Sequence, residues 1–254
     1  MRAGEEARPQ RPPAIQMEGQ MALDDCGGLM PPAPSRAWRT PPSATKGHNT
    51  VDVVAHLQAD RDRGLNAGRI IFAESLLEAT ALFVILSRRG VYDVEEQLQP
   101  IDFTDVDGAE RSHVFDFRVT YTNGLREAIA VKPAALVAKH RFDATLARIA
   151  SATPRSFADR VSLVTDASID PIEAHNARMI HGFRMPDTEA DTRAGDVVRS
   201  LVGSVLIADL VAAIGMGARG LRACVRLIGT HVLELTARER ITPAARVRLA
   251  EAAR

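Results

Sequence analysis

Three side chains of this 254-residue chain combine types and spacing that can do chemistry: Glu78, Asp116 and Lys132. Asp116 sits in the run SHVFDFRVTYT (112–122), flanked by Phe115 and Phe117. A carboxylate in such apolar company needs a reason, because burying it unpaired is costly. The run alternates Val114, Asp116, Arg118 and Thr120 against Phe115, Phe117, Val119 and Tyr121, which is the period of a strand. Asn123-Gly124 then marks a hairpin, since both residues tolerate positive φ, and residues 125–132 (LREAIAVK) read as the return strand, closed by Pro133. The turn folds Lys132 back towards Asp116. Carboxylates can bind Mg2+, with Mn2+ as an alternative, and a lysine beside them can orient a water or steady developing charge on a phosphate. Metal-assisted phosphodiester hydrolysis needs this set.

The elements that must position these groups follow from periodicity. Residues 70–86 (IIFAESLLEATALFVIL) contain no Gly or Pro and predict one helix ending near Gly90, with Glu74 and Glu78 on a shared face. Residues 48–65 are polar with room for a short helix. Strands are expected at 91–97, 112–122, 125–132 and 160–165, and helices at 134–150 and 173–183, the latter after a turn at Asp170-Pro171. This order predicts an α/β fold, a mixed sheet flanked by helices. Residues 185–192 read as a polar connection. Beyond it, helical stretches at 196–207, 209–214 and 218–228, with a turn at Gly215-Met216-Gly217 and a closing hairpin, predict a C-terminal all-α module of winged-helix type.

Composition narrows the classes of function. Lys+Arg and Asp+Glu both total 32, so no global basic field exists, although a local basic groove remains compatible with this balance. Two cysteines cannot build a disulfide framework, which makes a cytoplasmic, reduced setting the expectation. Aromatics at 4% argue against a base-stacking sheet, and no apolar run is long enough to span a bilayer, so no membrane partner is expected. Eight of the 14 prolines fall within residues 1–47, which predicts a disordered Pro-rich tail.

The ordered set ESLLEATALFVIL, VEEQLQP, HVFDFRV, a Gly-containing turn and IAVKP resembles the TnsA-type transposon endonucleases, a family within the PD-(D/E)XK nuclease superfamily. SLVTDASID, with Thr165, and EAHNARMI, with Asn176, resemble that family's last strand and following helix. The resemblance covers about residues 70–185. It implies a restriction-endonuclease-like core over 48–188, with the winged-helix-like module at 189–254. It further implies that Glu78 matches the helix glutamate, Asp116 the metal-binding aspartate and Lys132 the catalytic lysine, with the Val131 backbone carbonyl as a further Mg2+ ligand. Cleavage of DNA at transposon ends, beside a DDE transposase and an ATPase regulator, is the activity implied.

One position departs from the pattern. Two residues before the lysine the family carries an acid or Gln, and here Ala130 stands, on the same strand face as Lys132. Glu127 has the wrong parity to replace it. A second reading therefore stands beside the nuclease: a non-catalytic DNA-binding or assembly protein that keeps the fold. Asp116 likewise has a second reading, a structural aspartate paired with Arg118 or Lys132. His113 reads as a surface histidine or as a group near a scissile phosphate. In the C-terminal module Arg219, Arg222 and Arg226 line one helix face, either as a solvated surface or as contacts to DNA.

Overall fold

The computed structural model describes residues 30–38 and 50–251. Contacts divide the chain into Met1–Pro31 and Pro32–Arg254, and every helix and strand among the described residues lies in the second unit. Most of the tail expected to be disordered, 1–29 and 39–47, lies outside the described residues. Ala33–Trp38 is tied to the fold: Ala33 N–H donates to Gly68 O and Trp38 N–H to Gln97 O.

The stretch expected to be one helix over 70–86 is two elements. Strand β1 (Val51–Ala55), short helix α1 (Gln58–Asp62) and β2 (Arg69–Ala73) come first, and β1 pairs antiparallel with β2, Val53 opposite Ile71. Gly68 has φ +81, and a Cβ there would stand 2.5 Å from Ala55 O, so only glycine closes this ribbon. Helix α2 begins at Leu76 and runs to Leu86, because Ser75 caps it, its side chain accepting from the Glu78 N–H. Ala79, Ala81, Leu82, Val84 and Ile85 are buried, as expected of a helix that is apolar all round and wedged between layers.

Strands β3 (Val91–Glu96), β4 (Ile101–Thr104), β5 (Glu110–His113), β6 (Phe117–Tyr121) and β7 (Arg126–Val131) follow. The expected strand over 112–122 is thus broken: residues 114–116 leave the ladder, and Asp116 stands at the bend just before β6. Helices α3 (Ala134–His140) and α4 (Phe142–Ala152) replace the single helix expected there, divided at Arg141 with φ 49. Strand β8 (Arg160–Val164) completes a four-stranded sheet of order β3-β6-β7-β8, in which only β7 and β8 are parallel. Its α2 side buries Phe117, Val119, Ile129 and Val131, and the opposite side buries Phe115, Ala128, Ala130 and Ile149. The protein is therefore α/β, with a mixed sheet flanked by helices.

Helix α5 (Pro171–Gly182) is capped by Asp170 and packs on α2. Helix α6 (Thr188–Arg199) starts within the residues expected to be a connection, because Asp187 caps it and Ala190, Ala194 and Val198 form its buried stripe. The helix ends at Arg199, capped by Ser200, and after Gly203, at φ 74, strand β9 (Ser204–Leu206) takes the place of the expected helix end. Helices α7 (Ile207–Ile214) and α8 (Ala218–Gly229) and strands β10 (Leu233–Leu235) and β11 (Arg246–Leu249) follow, with the strands in the antiparallel order β10-β11-β9. No helix of the described residues is long and apolar enough to cross a membrane.

Candidate active site

The sequence-expected residues Glu78, Asp116 and Lys132 come together beside the carboxyl end of β7. The Val131 N–H donates to Asp116 Oδ2 at 2.7 Å, and the Lys132 N–H continues the ladder to Val164 O at 3.0 Å. The Asp116 carbonyl accepts from the Gln97 N–H at 3.1 Å, which anchors the bend to the end of β3. Glu78 belongs to the cap of α2. Its Oε1 accepts from the Ser75 hydroxyl at 3.0 Å and its Oε2 from the Glu74 N–H at 2.6 Å. This is a variant of the capping box: Ser75 at the cap accepts from the Glu78 N–H, and Glu78 reaches back to the N–H one residue before the cap. The same contacts fix the Glu78 carboxylate within electrostatic reach of Asp116.

The electrostatics of the group are those of crowded like charges. Burial, then the neighbouring Glu78 carboxylate, pushes the Asp116 carboxyl up to about 7, while the Val131 N–H and Lys132 pull the other way. Burial raises Glu78 as well, opposed by its Glu74 and Ser75 hydrogen bonds. Lys132 makes no ion pair within 4.0 Å among the described residues, and its Nζ lies 4.8 Å from the centre of the Phe142 ring. Lys132 is therefore held by an aromatic face with its charge uncommitted.

Two alternative readings are resolved by contacts. Arg118 is not the partner of Asp116: it pairs with Glu95 at 2.7 Å and lies over Phe157. His113 is not a surface group. It packs edge-on against Phe115 at 4.8 Å and near Phe142 at 5.8 Å, and burial with the nearby Lys132 pushes it down to about 4. Ala130 is fully buried with Ala128 and Phe115. Glu127 is committed elsewhere, accepting from Tyr121 at 2.7 Å and Arg160 at 2.6 Å.

The donor set suits one class of cation. No group of three or more His, Cys, Asp or Glu side chains among the described residues is placed to hold a metal. Zn2+ wants three or four such ligands, whereas Mg2+ keeps several waters and takes one or two carboxylates. Glu78 and Asp116, crowded and raised in proton affinity, are a pair that a divalent cation relieves. Asp116 Oδ1 makes no hydrogen bond among the described residues, so a lone-pair direction is open there.

Arg219, Arg222 and Arg226 share a face of α8, and that face turns largely onto the module itself. Arg219 pairs with Asp187 at 2.7 Å and Glu189 at 2.9 Å. Arg226, only 12% exposed at its side chain, pairs with Asp191 at 2.6 Å, so it does not point outward as a DNA-contacting residue would. Arg222 is exposed, and its guanidinium lies over Phe183.

Sequence reasoning missed a second charged cluster. Arg69, fully buried on β2, donates to Asp60 at 3.2 Å, Asp93 at 3.1 Å and Glu96 at 3.2 Å. No local pattern announces it, because its members meet only in the folded chain. Asn176 also gains a role: it donates to Glu239 O at 2.9 Å and accepts from the Ile241 N–H at 2.8 Å, joining α5 to the segment before β11. No family model matches the sequence, and no curated protein matches it.

Proposed function

We propose that the protein is a metal-dependent DNA endonuclease of TnsA type that hydrolyses phosphodiester bonds at transposon ends. The observation that carries this reading is the burial of Glu78 and Asp116 beside one another, with an uncommitted Lys132 at the same end of the sheet. A sheet of order β3-β6-β7-β8 with α2 and α5 on one side and α4 on the other is compatible with a restriction-endonuclease-like core. In this reading Glu78, Asp116 and the Val131 carbonyl hold Mg2+ or Mn2+, which supplies Lewis acidity and neutralises charge at a bound phosphate. The Val131 N–H keeps Asp116 in a single orientation, and the Ser75 hydroxyl does the same for Glu78. Lys132 Nζ donates to a phosphate oxygen or holds the attacking water. The DDE transposase and ATPase regulator enter as partners through the resemblance alone.

The order α6-β9-α7-α8-β10-β11 is compatible with a winged helix, in which β10-β11 would be the wing. We read it as the DNA-docking module. Arg222 is the α8 arginine available to phosphate, and Arg219 would first have to release Asp187 and Glu189.

Ala130 favours the second reading, a DNA-binding or assembly protein that keeps the fold. Its place holds no third carboxylate and is packed with apolar side chains. Nicking of supercoiled DNA by the full chain, alone and with a cognate transposase, separates the two. The nuclease reading expects Mg2+-dependent nicking that Asp116→Ala abolishes. Lys132→Ala should slow it with little change in the Mg2+ concentration needed, since lysine acts on water and phosphate. Absence of nicking with the transposase present assigns the scaffold role.

A further inference from the structure

A cavity lies away from the carboxylate pair. It measures about 630 Å³ and lies where α1 and α2 meet α5 and α8. Gly229 sets the closeness of that meeting, because a Cβ there would stand 2.6 Å from Ile180 Cγ2. Arg61, Arg88, Arg184 and Arg226 line the cavity, with Asp191 as the one acid lining it among the described residues. His56, His181 and His231 line it too. Phe83, Leu86 and Leu227 supply apolar wall.

The charges do not balance. Asp191 is spent on Arg226 at 2.6 Å, and the Glu173 that Arg88 meets at 3.8 Å does not line the cavity. Arg184 and Arg61 make no ion pair within 4.0 Å among the described residues. Arg184 is half-buried, donates to the His181 carbonyl at 2.8 Å, and keeps a buried Nε with no hydrogen-bond partner. A guanidinium removed from water without an acid is costly, and an arriving anion would relieve that cost. The imidazoles report the same field: burial and the nearby Arg184 push His181 down to about 4, and His56 is lowered by burial and Arg184 in turn.

We propose that this cavity is a phosphate-binding site for a ligand of about mononucleotide size. Its phosphate meets Arg184 and Arg61, and its body lies on Phe83, Leu86 and Leu227. The size falls within the range of small-ligand pockets, and guanidinium forks match phosphate oxygens in pairs. A phosphate could come from a free nucleotide or from the backbone of bound DNA, and the chemistry recognised is the same. The inference does not depend on the nuclease reading, since none of Glu78, Asp116 and Lys132 lines the cavity.

Calorimetric titration of the full chain, in metal-free low-salt buffer, tests it with AMP, ATP, orthophosphate and adenosine. Saturable binding of AMP or ATP is expected, with adenosine weaker by about tenfold or more. Arg184→Gln should weaken AMP by about tenfold, and Arg61→Gln, an exposed position that leaves the core alone, by less. Asp116→Ala should bind as the wild type does, which separates failure of this site from failure of the nuclease site. A short duplex that displaces AMP assigns the phosphate to DNA, and one that does not assigns it to a free nucleotide. The proposal is overturned by no saturation with any phosphate up to about millimolar, by adenosine binding as well as AMP, or by both arginine variants binding like wild type.

Discussion

Two regions of this molecule bury charge, and they do so in opposite ways. Around Arg69 the fold supplies its own counter-charges. Asp60 comes from α1, Asp93 and Glu96 from β3, and the set is completed by Arg36 on Asp93 at 2.8 Å, Arg63 on Asp93 at 3.3 Å, and Ser35, which donates to Glu96. Three arginines meet three acids, so the charges are answered within the fold, although one buried oxygen, Asp60 Oδ2, has no hydrogen bond. Around Asp116 the fold gathers two carboxylates and holds the nearest lysine against an aromatic ring rather than in an ion pair. Burial alone therefore does not mark a site. Net charge left over after the fold has made its own pairs is what the two proposed sites share, with the arginine-lined cavity as the positive counterpart of the carboxylate pair.

The comparison breaks most readily at Arg69. Arg69→Met keeps the apolar stem and removes the guanidinium, leaving Asp60, Asp93 and Glu96 buried without their shared partner. A loss of about 3–5 kcal/mol is expected, as for other buried pairs broken on one side. Urea unfolding followed by circular dichroism measures it. A loss below about 1 kcal/mol would mean that Arg36 and Arg63 carry the network, and that its balance is not what stabilises β1, β2 and β3.

Asp116→Asn should act in the other sense. Nicking is expected to fall by about a hundredfold or more, because the amide cannot serve as an anionic ligand, while folding stability stays level or rises. The pH dependence sharpens this. The folded protein keeps the Asp116 proton up to about 7, whereas an unfolded aspartate has lost it well below that. Between those two values the unfolded chain binds fewer protons, so stability falls as pH rises and levels off above about 7. Asp116→Asn removes that fall, so its advantage over wild type should be larger at pH 8 than at pH 5. Nicking by the wild type should weaken as pH drops below about 7, as Asp116 gains its proton. Equal pH profiles for the two proteins would show that the carboxylate pair is not strained by its own charge.

What was legible in the sequence was what local chemistry decides. Asn123-Gly124 set the β6–β7 hairpin, and the apolar runs set β8 and α5, because turn residues and periodicity act over a few neighbours. Residues 70–86 hid a strand–helix junction, since no Gly or Pro marks it. The signal was Ser75-x-x-Glu78, a capping box, and it also placed Glu78. The alternation around Asp116 runs through the bend, so periodicity put the residue in a strand, whereas Gln97 and Val131 hold it just outside one. The start of α6 was masked by its stripe of small residues, Ala190 and Ala194. The Arg69 network and the cavity around Arg184 were illegible for a different reason. Their members are distant in sequence, and charge balance is a property of what the fold brings together.

The finest test of the comparison lies on α8, where paired and unpaired arginines stand on one helix. Arg219 already holds two acids, and its hydrogen bond to Asp187 pulls that carboxyl down to about 2, outweighing the opposing effect of burial. Arg222 pairs with no acid among the described residues and lies over the Phe183 ring. If leftover charge is what meets a ligand, Arg222→Ala should lower duplex affinity a few-fold and reduce the slope of log affinity against log salt by about 0.9, one phosphate's worth of released counterions. Arg219→Ala should change the slope by less, because its charge is already answered by Asp187 and Glu189 within the module. Equilibrium binding to a duplex across a salt series, with both variants and wild type measured side by side, reads the difference. Equal slopes for Arg222→Ala and wild type would take α8 out of the DNA interface, and a larger change for Arg219→Ala than for Arg222→Ala would show that its ion pairs exchange for phosphate on binding.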